Sequence, residues 1–352
     1  MSLTAVPPAA WFSVPFRDRG PLSALIMAAI DSPEAAFDAI PEAAAEAASR
    51  TPDAIHDGDL QLALFVLYGL AYGSFGPLGA DVEWHPDLLR ARAILEAVFE
   101  QHLLDRVSPP ALPSQVTAGT MASTLFDLTA PTPGPSLARF VEKKATPEQI
   151  REMLILRSIY TLREADPHSW AIPRLTGRAK AALVEIQSDE YGGGRPERMH
   201  AVLYADAMRG AGLDDGYGTY LDRVPAVILA HQNVMSMFGL NRRLLGAVVG
   251  HLAAFEMTSS LPNRRYADGL RRAGFGTDVT AYFDEHVEAD AVHEQIAGRD
   301  LAGGLAEDQP ALAADILFGA AACLLMDDLV AEHALRAWES GASALRPAAE
   351  AS

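Results

Sequence analysis

Apolar residues recur at three- and four-residue spacing along almost the whole chain, with alanine, leucine and glutamate as the common filler between them. That period predicts helices over 33–49 (interrupted by Pro41), 59–72, 85–106, 146–164, 177–190, 196–211, 224–238, 241–259, 263–273, 278–297 and 309–338. No stretch shows convincing alternation of a strand. The pattern therefore predicts an all-α protein, one helical layer-on-layer bundle. A run rich in proline and small polar residues, 108–136, reads either as a linker between an N-terminal region and a catalytic core or as an ordered loop crossing the bundle; the loop is the expectation, because 59–72 and 85–106 are too apolar on one face to stand alone. The expected division is an N-terminal extension over 1–58, a main domain over 59–340 and a frayed tail over 341–352.

Composition narrows the partners. A chain of 352 residues, 49% of them hydrophobic, can bury a substantial core. Its formal charge of −18 opposes nucleic acid and anionic membrane surfaces by long-range repulsion. The single cysteine, Cys323, allows no intrachain disulfide and suits a reducing compartment. The most apolar late run, ILFGAAACLLM, has only 11 residues between acids, too short to span a bilayer. A cytoplasmic location is expected, with no membrane partner.

Candidate chemistry sits in three segments. In YFDEHVEADAVHEQ, His286, Asp290 and His293 are spaced by four and three residues, which places them within about 60° of arc on one helical face. In LLGAVVGHLAAFEMTSS, Glu256 follows an apolar run that reads as a buried helix, and burying an ionised carboxylate without a partner costs several kcal/mol. His251, five residues earlier, faces elsewhere and reads as structural. In EIQSDEYGGGRPERMHAVLY, Glu190 and His200 flank a glycine triplet that ends one helix before Pro196 opens the next turn. Taken singly, each also reads as ordinary structure: a polar face, a paired core acid, a helix junction. Histidine and carboxylate donors suit iron, manganese or zinc, and the lack of a cysteine cluster excludes a sulfur-rich site.

Taken together, Glu190, His200, Glu256, His286, Asp290 and His293 resemble the ligand pattern of the haem-oxygenase-like di-iron oxidase and oxygenase superfamily. The stretch DEYGGGRPERMHAVLYADAMRGAGL is similar to its "iron-containing redox enzyme" branch, a likeness covering about residues 60–340. The resemblance implies a haem-oxygenase-like helical bundle, here with an N-terminal helical extension. It also implies that those six residues bind two irons, with Glu256 bridging, and that O2 is a co-substrate. Two Fe(II) bring four positive charges against three carboxylates, and six ligands leave open positions; a mixed Fe/Mn centre accepts the same donors.

The implied activity is oxidation of a small amine or amino-acid-like substrate, by N-oxygenation or oxidative C–C cleavage, in a specialised biosynthetic pathway. An external electron donor and a homodimer are compatible with it. Tyr191, Tyr204, Met257, Tyr282 and Phe283 are pocket candidates, Asp189 and Glu197 candidate acceptors for ligand imidazoles. Arg264, Arg265, Arg271 and Arg272 are candidate carboxylate anchors or simple surface countercharges. Two competing readings are a haem enzyme with His56 as its early axial histidine and a metal-free helical interaction protein. A ferritin-like bundle would need Glu-x-x-His pairs, which the ligand positions lack.

Overall fold

The computed structural model describes residues 16–31, 37–75, 82–131 and 134–348, of which 288–291 by their backbone alone. Among the described residues the ordered elements are helices. They run α1 (Pro21–Asp31), α2 (Ile40–Arg50), α3 (Gly58–Ala71), α4 (Pro86–Arg106), α5 (Ala118–Thr129), α6 (Leu137–Lys143), α7 (Pro147–Thr161) and α8 (Asp166–Ser169). After these come α9 (Gly177–Glu190), α10 (His200–Gly210), α11 (Ala226–Leu240), α12 (Leu245–Met257), α13 (Ser260–Arg272), α14 (Thr277–Gln295), α15 (Gly303–Asp308) and α16 (Ala313–Glu339). The fold is all-α and haem-oxygenase-like.

Three helices, α3, α11 and α12, are apolar around nearly their whole circumference, and that dictates their place at the centre. Every residue of α3 from Leu60 to Leu70 is buried. Helix α12 lies closest along α16, where Gly246, Gly250 and Gly319 let the two backbones approach: a Cβ at Gly250 would fall on the Ile316 carbonyl. The remaining helices wrap this centre, α1 against α3, α2 against α4, and α13 against both α6 and α14.

Local signals explain most boundaries. Asp57 caps α3 by accepting from Asp59 N and Leu60 N. Thr146 and Gln149 form a capping box at the start of α7. Thr117 and Thr120 form another at α5, inside the segment expected to be a loop. The 108–136 expectation is thus corrected: its middle is a helix, whose Met121, Ala122 and Leu125 are buried in the core. The start of the expected 33–49 helix, residues 33–36, lies outside the described residues. At the other end, residues expected to fray are anchored, with Ala344 N donating to Glu152 and Arg346 N to the Arg223 carbonyl. Among the described residues no single helix is long and apolar enough to cross a membrane.

Candidate metal centre

Five places in the chain deliver acids and histidines to one buried point. Glu164 sits in the turn between α7 and α8, Glu190 is the last residue of α9, and His200 is the first of α10. Glu256 lies in the last turn of α12, and His286 and His293 project from α14. The α9–α10 reversal depends on glycine: Gly192, Gly193 and Gly194 all have positive φ, and a Cβ on Gly192 would lie 2.7 Å from the Arg198 and Met199 backbone. That close approach brings His200 Nδ1 to 2.9 Å from Glu190 Oε2.

The side chains form two donor groups. Glu164, Glu190, His200 and His286 offer ligand atoms within 4.8 Å of one another, and so do Glu190, Glu256 and His293; all six are buried. Glu190 is common to both groups, whereas the resemblance assigned the bridge to Glu256. The side chain of Asp290, the sixth expected ligand, lies outside the described residues. Glu164 takes a place that the sequence did not suggest.

Hydrogen bonds set the ring orientations. His286 Nδ1 is 2.8 Å from the Tyr282 carbonyl, which only accepts, so Nδ1 carries the proton and Nε2 is the lone-pair nitrogen, 3.8 Å from Glu164 Oε1. His293 Nε2 donates to Asp189 Oδ2 at 3.0 Å, so Nδ1, 3.4 Å from Glu256 Oε2, is the nitrogen left for a proton or a metal. Asp189 thus holds an imidazole as the sequence suggested. The Tyr282 hydroxyl donates to both oxygens of Glu164, at 2.9 and 2.8 Å.

The electrostatics ask for a cation. Three carboxylates are buried together, and His200 Nδ1 and His293 Nδ1 are buried without a hydrogen bond of acceptable geometry. Burial opposes charging His293, yet its contacts with Glu256 and Asp189 push it up to about 9. His200 is likewise raised by Glu190 against the effect of burial. Burial and the neighbouring Glu190 raise Glu256, with His293 pulling the other way. For Glu164, burial is outweighed by His286, His200 and Tyr282, and its carboxyl lies below the ordinary range. Protons here occupy positions that a divalent metal would take over, and nitrogen and oxygen donors in this mixture fit iron.

Comparison with known proteins agrees. A family model described as iron-containing redox enzyme matches residues 151–328, a span running from α7 into α16 and holding every donor just described. The chain belongs to the iron-containing redox enzyme family. Over 147 residues it is also 30% identical to nitrosourea synthase of Streptomyces achromogenes subsp. streptozoticus, a match covering 42% of this chain and 31% of that protein. The chain thus spans about a third of that relative's length.

Two cavities adjoin the centre of this redox-family protein. A small one, of about 10 Å³, is walled by Glu164, Glu190, Glu256 and His286 together with Gln187 and His168. A larger one, of about 330 Å³, reaches His200 and Asp189 past Arg195, Arg198 and Glu285. The five expected pocket residues line neither. Tyr204 donates to the Leu154 carbonyl, Tyr191 to Asp166, and Phe283 packs on Tyr266. Met257 lies by Thr129, and Tyr282 supports Glu164.

Nor do the expected arginines reach the centre. Arg271 pairs with Asp284, Arg272 donates to carbonyls of Val141, Glu142 and Ala145, and Arg265 lies 4.0 Å from Glu142. Arg264 and Glu197 line neither cavity, and Glu197 is exposed. His56, the haem alternative's candidate, is exposed and paired with Asp53.

Proposed function

We propose that this protein is a non-haem di-iron oxygenase or oxidase that uses O2 to oxidise a small amine or amino-acid-like substrate. The observation that carries the reading is the pair of buried donor groups sharing Glu190. Glu164, Glu190, His200 and His286 would hold one iron; Glu190, Glu256 and His293, with Asp290, would hold the other. Manganese in one position suits the same donors. When bound, the metal pair supplies electrons and open coordination positions for O2 chemistry.

The protein's own contributions follow from the geometry. The Tyr282 carbonyl and Asp189 each engage one imidazole nitrogen, so the other nitrogen of His286 and of His293 is left facing the carboxylates. The Tyr282 hydroxyl holds Glu164 ionised and oriented. Apolar α11 and α12 keep water away from the far side. Access runs through the larger cavity, whose rim carries both signs of charge, Arg195 and Arg198 beside Asp189 and Glu285. A zwitterion suits that rim better than a simple anion does, given a chain of net charge −18. The match to nitrosourea synthase supports chemistry at nitrogen. Repeated turnover would draw on an external electron donor.

Anaerobic Fe(II) titration of variants tests the assignment. The wild type is expected to bind about two irons per chain, Glu164→Ala about one, and Glu190→Ala none tightly, with Glu285→Ala like wild type. Full iron content in Glu190→Ala, or one retained zinc with no iron uptake, would sink the proposal.

A further inference from the structure

Tyr160 sits in the last turn of α7, four residues before Glu164, and is 7% exposed. Two T-shaped contacts clamp its ring, with centroids 5.2 Å from Phe255 on α12 and 6.3 Å from His231 on α11. The side chain walls the small cavity together with Glu164, Glu190, Glu256 and His286. That void of about 10 Å³ lies among the metal-binding carboxylates and has room for one water-sized group.

The hydroxyl at this place makes no hydrogen bond to any described residue. Nearby tyrosines differ: Tyr282 donates to Glu164, Tyr191 to Asp166 and Tyr204 to the Leu154 carbonyl. The carboxylates around the cavity already have other partners, Glu164 the Tyr282 hydroxyl, Glu190 the ring of His200, and Glu256 that of His293. Burial, and then the charges of Glu164, Glu190, Tyr282 and Glu256, hold the Tyr160 hydroxyl well above its ordinary value, so it keeps its proton. A buried hydroxyl left without an acceptor is unfavourable, and here the chain itself supplies none.

We infer that the Tyr160 hydroxyl donates a hydrogen bond to a non-protein ligand of the metal pair, an acceptor of one heavy atom, such as water or hydroxide, held in the small cavity. The inference rests on the di-iron reading above and adds a residue to it. A neutral donor serves this place well: it stabilises negative charge on the ligand, and such charge-assisted hydrogen bonds are about twice as strong as neutral ones. Rigidity adds to the effect, because the clamped ring holds the donor in position before the ligand arrives. Removing the donor is expected to weaken an anionic ligand by about tenfold to a hundredfold.

Fluoride is a suitable probe, being a single atom of about the size of hydroxide, a strong acceptor and a ligand for Mn(II). The measurement is paramagnetic relaxation of fluoride 19F by protein loaded with Mn(II), titrated to give the fluoride affinity. Tyr160→Phe, which removes the hydroxyl and keeps the ring, should bind the same amount of Mn(II) and bind fluoride at least about tenfold more weakly. Denaturant unfolding of the metal-free protein supplies a second readout. With no protein acceptor lost, Tyr160→Phe should unfold at a midpoint no lower than that of wild type.

Unchanged fluoride affinity in a fully loaded Tyr160→Phe overturns the inference. A lowered midpoint in the metal-free variant would show that the hydroxyl serves the fold, and loss of Mn(II) from it would make Tyr160 a metal ligand; either rejects the proposal. Metal analysis of the wild type separates the two levels. Bound Mn(II) that takes no fluoride rejects the role of Tyr160 alone, whereas no bound metal rejects the di-iron reading and this inference with it.

Discussion

Ala165 holds a φ of 74°, the one positive φ at a non-glycine position among the described residues, and it directly follows Glu164. A side chain in that left-handed region costs about 1–2 kcal/mol, and such strain persists where neighbours over-determine the backbone. Here the Ala165 carbonyl accepts from Ser169 N and Gln187 Nε2, which locks the turn and aims the preceding carboxylate. Ala165→Gly is therefore expected to gain about 0.5–1 kcal/mol in denaturant unfolding, the released strain exceeding the entropy glycine adds to the unfolded chain. A loss of stability would show that the turn is unstrained. The same turn explains why Glu164 was invisible in the sequence. It lies between helices, so no three-or-four spacing links it to the other donors, and in YTLREADPHSW it reads as one more polar residue at a helix end. The available hint was an acid four residues before a histidine, Glu164 and His168, at the end of an apolar helix.

At the scale of elements, helical periodicity served well wherever a helix had one apolar face or was apolar throughout. The expected 177–190 helix coincides with α9, and the expected 59–72 and 85–106 helices match α3 and α4 to within a residue. It failed at α5, where threonine, serine and glycine mask a short buried face and the start is set by a capping box rather than by hydrophobic spacing. The glycine triplet between α9 and α10 was recognised as a junction, but its purpose, bringing Glu190 to His200, follows only from the close backbone approach at Gly192. That approach yields a graded prediction. Gly192→Ala adds a Cβ 2.7 Å from neighbouring backbone and strains a φ of 70°, so a loss of about 2–4 kcal/mol with weakened metal binding is expected. Gly193→Ala strains a φ of 59° but meets open space, and about 1 kcal/mol is expected. Paired thermal melts of the two variants check the ordering; equal effects would refute the packing argument.

For the whole molecule, the acidic composition conceals a core that holds neutral histidines. Burial lowers His168 to about 4, with Glu164 partly compensating, and burial together with His168 and His231 places His251 well below its ordinary value. Because the folded values are depressed, the unfolded chain binds more protons below its own value of about 6.5, and stability falls as pH drops from there toward about 4. For His168 alone the loss approaches about 3 kcal/mol at the lower limit. Metal-free protein should show this acid slope in denaturant titrations, and the double variant His168→Gln with His251→Gln should flatten it; parallel slopes would contradict the account.

Above that slope, the stability of the loaded protein should rise with bound metal by mass action. The central claim, two irons sharing Glu190, is tested most directly by anomalous diffraction at the iron edge from crystals loaded anaerobically with Fe(II). Two peaks are predicted, one within bonding distance of Glu164, Glu190, His200 and His286, the other within bonding distance of Glu190, Glu256, His293 and Asp290. A single peak, or peaks that leave Glu190 out of one coordination sphere, would contradict it.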